Sequence, residues 1–186
     1  MFASIKNLFS ARKEIVPPLT FIQKKEKFRE RFFSSAHHSW IEEEKGYKKA
    51  FTLLIDCFDQ DTLDFFLNAK MVAFIRASGT LSCAITPPRN LHTIIVFPDL
   101  CKLLTSASLT SGLAILAHEI GHIVLRHSGS EIDQLKAQIE ADAYAVRLGL
   151  GHELQDILLD YPQIEDCRVR VSYLTSELMH KKSMDS

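Results

Sequence analysis

A chain of 186 residues is long enough for one domain with a sizeable core, and 46% hydrophobic with 24% charged residues suits a folded globular protein. A net charge of -1 excludes a global basic field for gripping nucleic acid. No run approaches the roughly 20 apolar residues of a membrane span, and the opening MFASIKNLFSARKE is too polar and interrupted for a secretory leader.

The charge is unevenly placed. Residues 1–33 hold eight Lys/Arg against three Glu, so 1–40 is read as a basic N-terminal helical arm. A domain over 41–180 and a frayed tail over 181–186 follow. Phe2, Ile5, Leu8 and Phe9 can share one face of a short amphipathic helix, read as docking in preference to anchoring on a membrane surface. VPPLT (Val16 to Thr20) breaks any helix, and FIQKKEKFRERFF starts a basic one that ends near Ser34–Ser35 with its charges solvated. His37 and His38 are adjacent, point in different directions on any regular element, and are expected in a surface loop.

A helical pattern runs from Ile41 to Phe58, and DQDTLDFFLNA starts another helix with Asp59 or Asp61 as its N-cap. Three strand-like runs come next: KMVAFIR and TLSCAIT, joined through ASG as a hairpin, then LHTIIVF after PPRN. Pro98 suits the first turn of a short helix, PDLCKLL. A long helix carrying LAILAHEIGHIVLRH follows, and SGSEIDQ restarts a helix with Ser130 and Asp133 as a capping pair. That helix stops at Gly149 and Gly151; HELQDILLD and CRVRVSYLTSEL are two more. Cys57, Cys83, Cys101 and Cys167 show no CxxC spacing and sit in apolar stretches, so reduced thiols and a cytoplasmic setting are expected.

His118-Glu119-x-x-His122 is the chemically informative spacing. Residues four apart on a helix project to the same side, so both imidazoles can bind one ion, with Glu119 near enough to take a proton from a metal-bound water. With His118 at 0°, His122 falls at about 40° and Glu119 at about 100°. Leu109, Leu113, Leu116, Ile120, Ile123 and Val124 fall between about 140° and 240°, which turns the histidines away from the apolar stripe towards a cleft. Gly121 leaves room for a neighbouring element to come close. His127 falls at about 180° and is read as a helix-end residue or one that supports a ligand from behind.

HTIIVFPDLCKLL, LAILAHEIGHIVLRH and EADAYAVRLGLG together resemble the gluzincin-type zinc metallopeptidases. The compact ImmA/IrrE-like peptidases are nearest in pattern, with HtpX-like and CAAX-protease-type peptidases more distant. The resemblance spans roughly residues 70–175 and implies an α+β, zincin-like fold: a small sheet of about three strands, mixed or antiparallel, on helices. It also implies a Zn2+ cofactor held by His118 and His122, Glu119 as general base, and an edge strand, LHTIIVF, that pairs with an extended peptide substrate.

The third ligand departs from that pattern. If ADAYA anchors the comparison, the family's ligating Glu falls at Gln138. Gln138 and Asp142 lie mid-way across the buried face of their helix, whereas Glu140 lies about 200° from Gln138 among solvated charges. Asp142 is the preferred inward carboxylate, as ligand or as partner of a ligand histidine. Glu140 comes second and Gln138 third. Tyr144 and Tyr173 are read as packing residues. No separate cofactor-binding site is expected. The reading is a zinc-dependent peptidase acting on protein or peptide substrates, with no transmembrane segment and no nucleic acid partner expected, the basic arm 1–33 leaving a minor route to one. The competing class is a regulatory or interaction protein that keeps the fold without turnover, and Gln138 keeps that alternative open.

Overall fold

The computed structural model describes residues 18–68, 71–77, 91–127 and 132–184. Helix α1 (Phe21–Phe33) starts at Thr20, whose hydroxyl accepts the Gln23 N–H while the Gln23 side chain accepts the Thr20 N–H, a reciprocal capping box. Phe28 and Phe32, four residues apart on one face, are buried in the common core. The polar face is not simply solvated: Lys24 pairs with Asp64 and Arg29 with Asp56, each at 2.6 Å. The helix expected in an N-terminal arm is therefore laid into the body of the protein, and these two cations are neutralised there.

A 3-10 turn (Ala36–His38) and a short helix α2 (Ser39–Glu42) follow. The expectation of a surface loop at His37–His38 fails at His38, which is completely buried. Its Nε2 accepts the Phe74 N–H at 3.1 Å, so Nδ1 carries the hydrogen and donates to the Phe32 carbonyl at 2.7 Å. Burial lowers its pKa. A polar side chain is retained here because it satisfies the Phe74 N–H and adds a donor to the Phe32 carbonyl, which also accepts the Ser35 N–H at 3.2 Å.

Helices α3 (Lys45–Cys57) and α4 (Gln60–Asn68) bring Phe51, Leu54, Leu63 and Phe66 to the same core. Asp59 is the cap of α4, accepting the Thr62 N–H at 2.8 Å. Strands β1 (Met71–Arg76) and β2 (Leu91–Val96) then pair in parallel, from Met71↔Leu91 to Arg76↔Val96. The expected sheet of about three strands is corrected to two among the described residues. A meander would have set TLSCAIT between the first and third runs, yet those runs are direct neighbours. All of TLSCAIT lies outside the described residues. On the far edge of β1, His38 takes the Phe74 N–H and the Trp40 Nε1–H donates to the Phe74 carbonyl at 3.0 Å. Two side chains thus occupy that edge as a further strand would.

The second half is helical: α5 (Pro98–Leu104) with Pro98 in its first turn, α6 (Leu109–Val124), α7 (Gln134–Arg147), α8 (Gly151–Leu159) and α9 (Glu165–Met184). Asp133 caps α7 by accepting the Lys136 N–H, while Ser130 lies outside the described residues. Gly149, at φ +84°, ends α7 in a Schellman turn: its N–H donates to Val146 and that of Leu150 to Ala145. The tail expected to fray from residue 181 continues α9 to Met184, and Lys181 Nζ donates to the Val146 carbonyl at 2.9 Å.

His38→Ala strands the Phe74 N–H beside a cavity, takes one donor from the Phe32 carbonyl, and is expected to cost about 2–4 kcal/mol in urea unfolding. His38 binds its proton more weakly folded than unfolded. Its contribution is therefore full above the ordinary 6.5 and is lost as pH falls below it. The variant's stability should vary less over that window than the wild type's.

Candidate metal centre

Helix α6 is buried on more than its leucine stripe. Leu113, Leu116 and Ile120 face the core as the phase argument requires, and Ala114, Ala117 and Gly121 form a second, small-residue face beside the histidines. Helix α7 packs there. A methyl group added to Gly121 would lie 3.0 Å from Tyr144 Cβ, 3.1 Å from the Ala141 Cα and 3.2 Å from its carbonyl oxygen. Only a residue without a side chain permits that approach. The cleft expected at the histidines is therefore largely closed: His118 is buried, His122 half-buried and Glu119 exposed.

The close crossing places acid beside imidazole. His118 Nδ1 lies 2.8 Å from Asp142 Oδ1, approached obliquely, in a close polar contact short of a well-aligned hydrogen bond. Arg170 of α9 grips the same carboxylate with two parallel bonds, Nε to Oδ2 and a terminal nitrogen to Oδ1, both 2.7 Å. On the other side, His122 Nδ1 lies 2.8 Å from His127 Nδ1, and His127 Nε2 lies 3.0 Å from Glu140 Oε2. Between them, the Nε2 atoms of His118 and His122 face each other at 3.1 Å.

A hydrogen count shows what this chain of groups lacks. Asp142 and Glu140 end it with acceptors, so His118 offers Nδ1–H to Asp142 and His127 offers Nε2–H to Glu140. Neutral His127 then accepts at Nδ1, which puts the His122 hydrogen on its own Nδ1. Three neutral imidazoles have now used their three hydrogens. Two bare Nε2 lone pairs remain, pointing at each other, an arrangement that a cation between them stabilises. Two nitrogens bound to a tetrahedral zinc at about 2.0–2.1 Å lie about 3.3 Å apart, close to the separation here. The pair fits the metal.

The electrostatics favour the same protonation. Burial, with His118, His127 and Arg170 adding to it, pushes His122 down to about 4 against the pull of Asp142. It is neutral at pH 7, as a metal donor must be. For Asp142, burial pushes upward, but Arg170 and His118 outweigh it and hold the carboxyl below its usual range. The buried acid stays ionised.

Each residue singled out in the sequence can now be placed. His118, His122 and Asp142 come together, with Asp142 on the ring edge of His118 opposite Nε2. Glu140, expected among solvated charges, is half-buried against His127, with Lys136 Nζ at 3.8 Å. Gln138 is half-buried one turn before Asp142. Among the described residues, no three His, Cys, Asp or Glu side chains are grouped to hold one ion. Tyr144 packs as read, its hydroxyl 2.6 Å from Thr62 Oγ1. His127 escapes the helical phase because α6 ends before it: Arg126 takes φ +59° and turns the chain back. Arg170 was missed, although its spacing from the buried Cys167 and Leu174 sets a cation on the apolar stripe of α9.

Residues 88–157 match the family profile described as Peptidase family M48. The match covers less than half of the chain, contains α6 and α7 whole, and supports a metallopeptidase function in general. It does not single out the ImmA/IrrE-like branch. The comparisons with curated proteins and with solved structures gave no match. No helix among the described residues is long and apolar enough to cross a membrane.

Gly121→Ala is expected to force α6 and α7 apart and lower stability by about 1–3 kcal/mol. Thermal and urea unfolding check the loss.

Proposed function

We propose that the chain is a zinc metallopeptidase that hydrolyses protein or peptide substrates. The observation that carries this reading is the convergence of the two Nε2 atoms at 3.1 Å, with Asp142 and His127 on the far nitrogens of the two rings. His118 and His122 would hold the ion. Of the two roles open to Asp142, its geometry supports the orienting partner of His118 over the third ligand: its oxygens are engaged by His118 Nδ1 and Arg170. Zinc bound there would supply a water of near-neutral pKa and a Lewis acid for the scissile carbonyl.

The chain's own residues supply the rest. Glu119, exposed next to His118, takes a proton from the attacking water and returns it to the leaving amine. The outer edge of β2 receives the substrate backbone by strand addition. Its support is that β1 already occupies one side of β2, while His38 and Trp40 occupy the far side of β1. The thiols of Cys57, Cys101 and Cys167 are free, which favours a reducing, cytoplasmic setting.

Gln138 favours a second reading, a zincin fold that binds metal without turnover. It offers a neutral amide where the resemblance implies a ligating Glu. Stoichiometric zinc in the purified wild type, lost in His122→Ala, is the expected result for the site. Glu119→Gln should keep the zinc and lose peptide hydrolysis by about 10²–10⁴-fold; hydrolysis surviving that change would overturn the mechanism. Gln138→Glu should tighten zinc. A zinc-loaded wild type without hydrolysis, beside an active Gln138→Glu variant, would establish the second reading.

A further inference from the structure

We propose that His127 and Glu140 form a positioning relay for His122, fixing its tautomer and ring orientation from outside the ligand set. This rests on the reading of His118 and His122 as metal ligands and assigns a role to two residues that the spacing of the motif leaves out. It also gives Glu140 a place in the site other than that of third ligand.

Three independent features support the relay. The first is backbone. Helix α6 closes in a Schellman turn in which Arg126 N–H donates to Ile123 and His127 N–H donates to the carbonyl of His122 itself. The left-handed position is occupied by Arg126, where glycine is favoured, whereas the same turn at the end of α7 has Gly149. The chain thus adopts an unfavourable conformation, and its result is to return His127 to the flank of His122.

The second is burial. The His127 side chain is 7% exposed, although Leu125 and Arg126, which precede it beyond the end of α6, are exposed. A buried imidazole has to be satisfied by polar partners, and two of them are His122 Nδ1 and Glu140 Oε2.

The third is direction. Nδ1–H of His122 pointing to His127 leaves Nε2 bare, the form a ligand needs. Glu140 sets the order in the neutral ring, because an acceptor at Nε2 of neutral His127 leaves its Nδ1 as an acceptor. Asp142 does the same for His118 without an intermediary. Glu140 Oε2 therefore stands a whole imidazole away from His122.

The test uses the full chain loaded with zinc or cobalt(II). Affinity is measured by competition with a chelator, the cobalt ligand field by visible absorption, and folding by urea unfolding. His127→Phe should weaken metal binding about 10–100-fold and alter the cobalt spectrum, and Glu140→Ala should weaken it about 10-fold. His127→Gln, whose amide can accept from His122 and donate to Glu140, should recover most of the loss. A merely structural role would lower the unfolding midpoint without changing the spectrum of the folded fraction. Glu140 is half-exposed, so its variant remains informative if His127→Phe fails to fold. Wild-type affinity and spectrum in Glu140→Ala or in folded His127→Phe would overturn the relay alone. Failure of the wild type to bind metal would overturn the zinc reading and the relay with it.

Discussion

The contact of Gly121 with Ala141 is the constraint from which the centre follows. Two helices normally meet through side chains at interaxial distances of about 8–10 Å. Here, one backbone comes within reach of the other because Gly121 has no Cβ and the side chain of Ala141 is a single methyl. Asp142, the next residue on α7, is thereby delivered to His118, and Glu140, the preceding one, faces the end of α6. Both acids owe their place to one helix crossing. A wider crossing would move both, and the two imidazoles would lose their supports together.

The burial of charge at this crossing explains the packing beyond it. An ionised carboxylate 2% exposed is tolerable only when a cation and hydrogen-bond donors face it. The two-pronged grip of Arg170 meets that need, and it requires α9 to lie against α7 with its arginine inward. The N-terminal half is joined by different means. Phe28, Phe32, Phe51, Phe66 and Phe74 form an aromatic cluster, and His38 and Trp40 connect its loops to β1. Apolar burial holds that half, while a charged network organises the other.

Much of this was legible as local pattern. Phase along α6 separates Leu113, Leu116 and Ile120 from the two histidines, and Gly121 announces a close approach. Thr20, Asp59, Pro98, Asp133 and Gly149 mark helix ends by chemistry that acts over three or four residues. What could not be read depends on partners far away in the chain. His38 looks like half of an exposed pair until Phe32 and Phe74 are seen to need it. Phase cannot place His127 because helical geometry ceases at Arg126, and no residue type at that position signals a left-handed turn. The strand runs were visible, but their pairing order was not: a hairpin signal describes neighbours in sequence, and β1 chose β2 across 20 positions. Helical phase turns Asp142 inward but leaves open whether it is a ligand or the partner of a ligand histidine, because a ring has two nitrogens and either can be the one addressed.

The grip of Arg170 on Asp142 also says something about modular boundaries. The stretch that matches the peptidase family ends at residue 157, eight positions before α9 begins at Glu165. The counter-ion of the site's buried acid therefore comes from outside the recognisable segment. Excised at its homology boundary, that segment would carry His118, Glu119, His122 and Asp142, yet would expose Asp142 to a choice between protonation and solvent. The unit that evolution can copy by motif is smaller than the unit that is electrostatically self-sufficient.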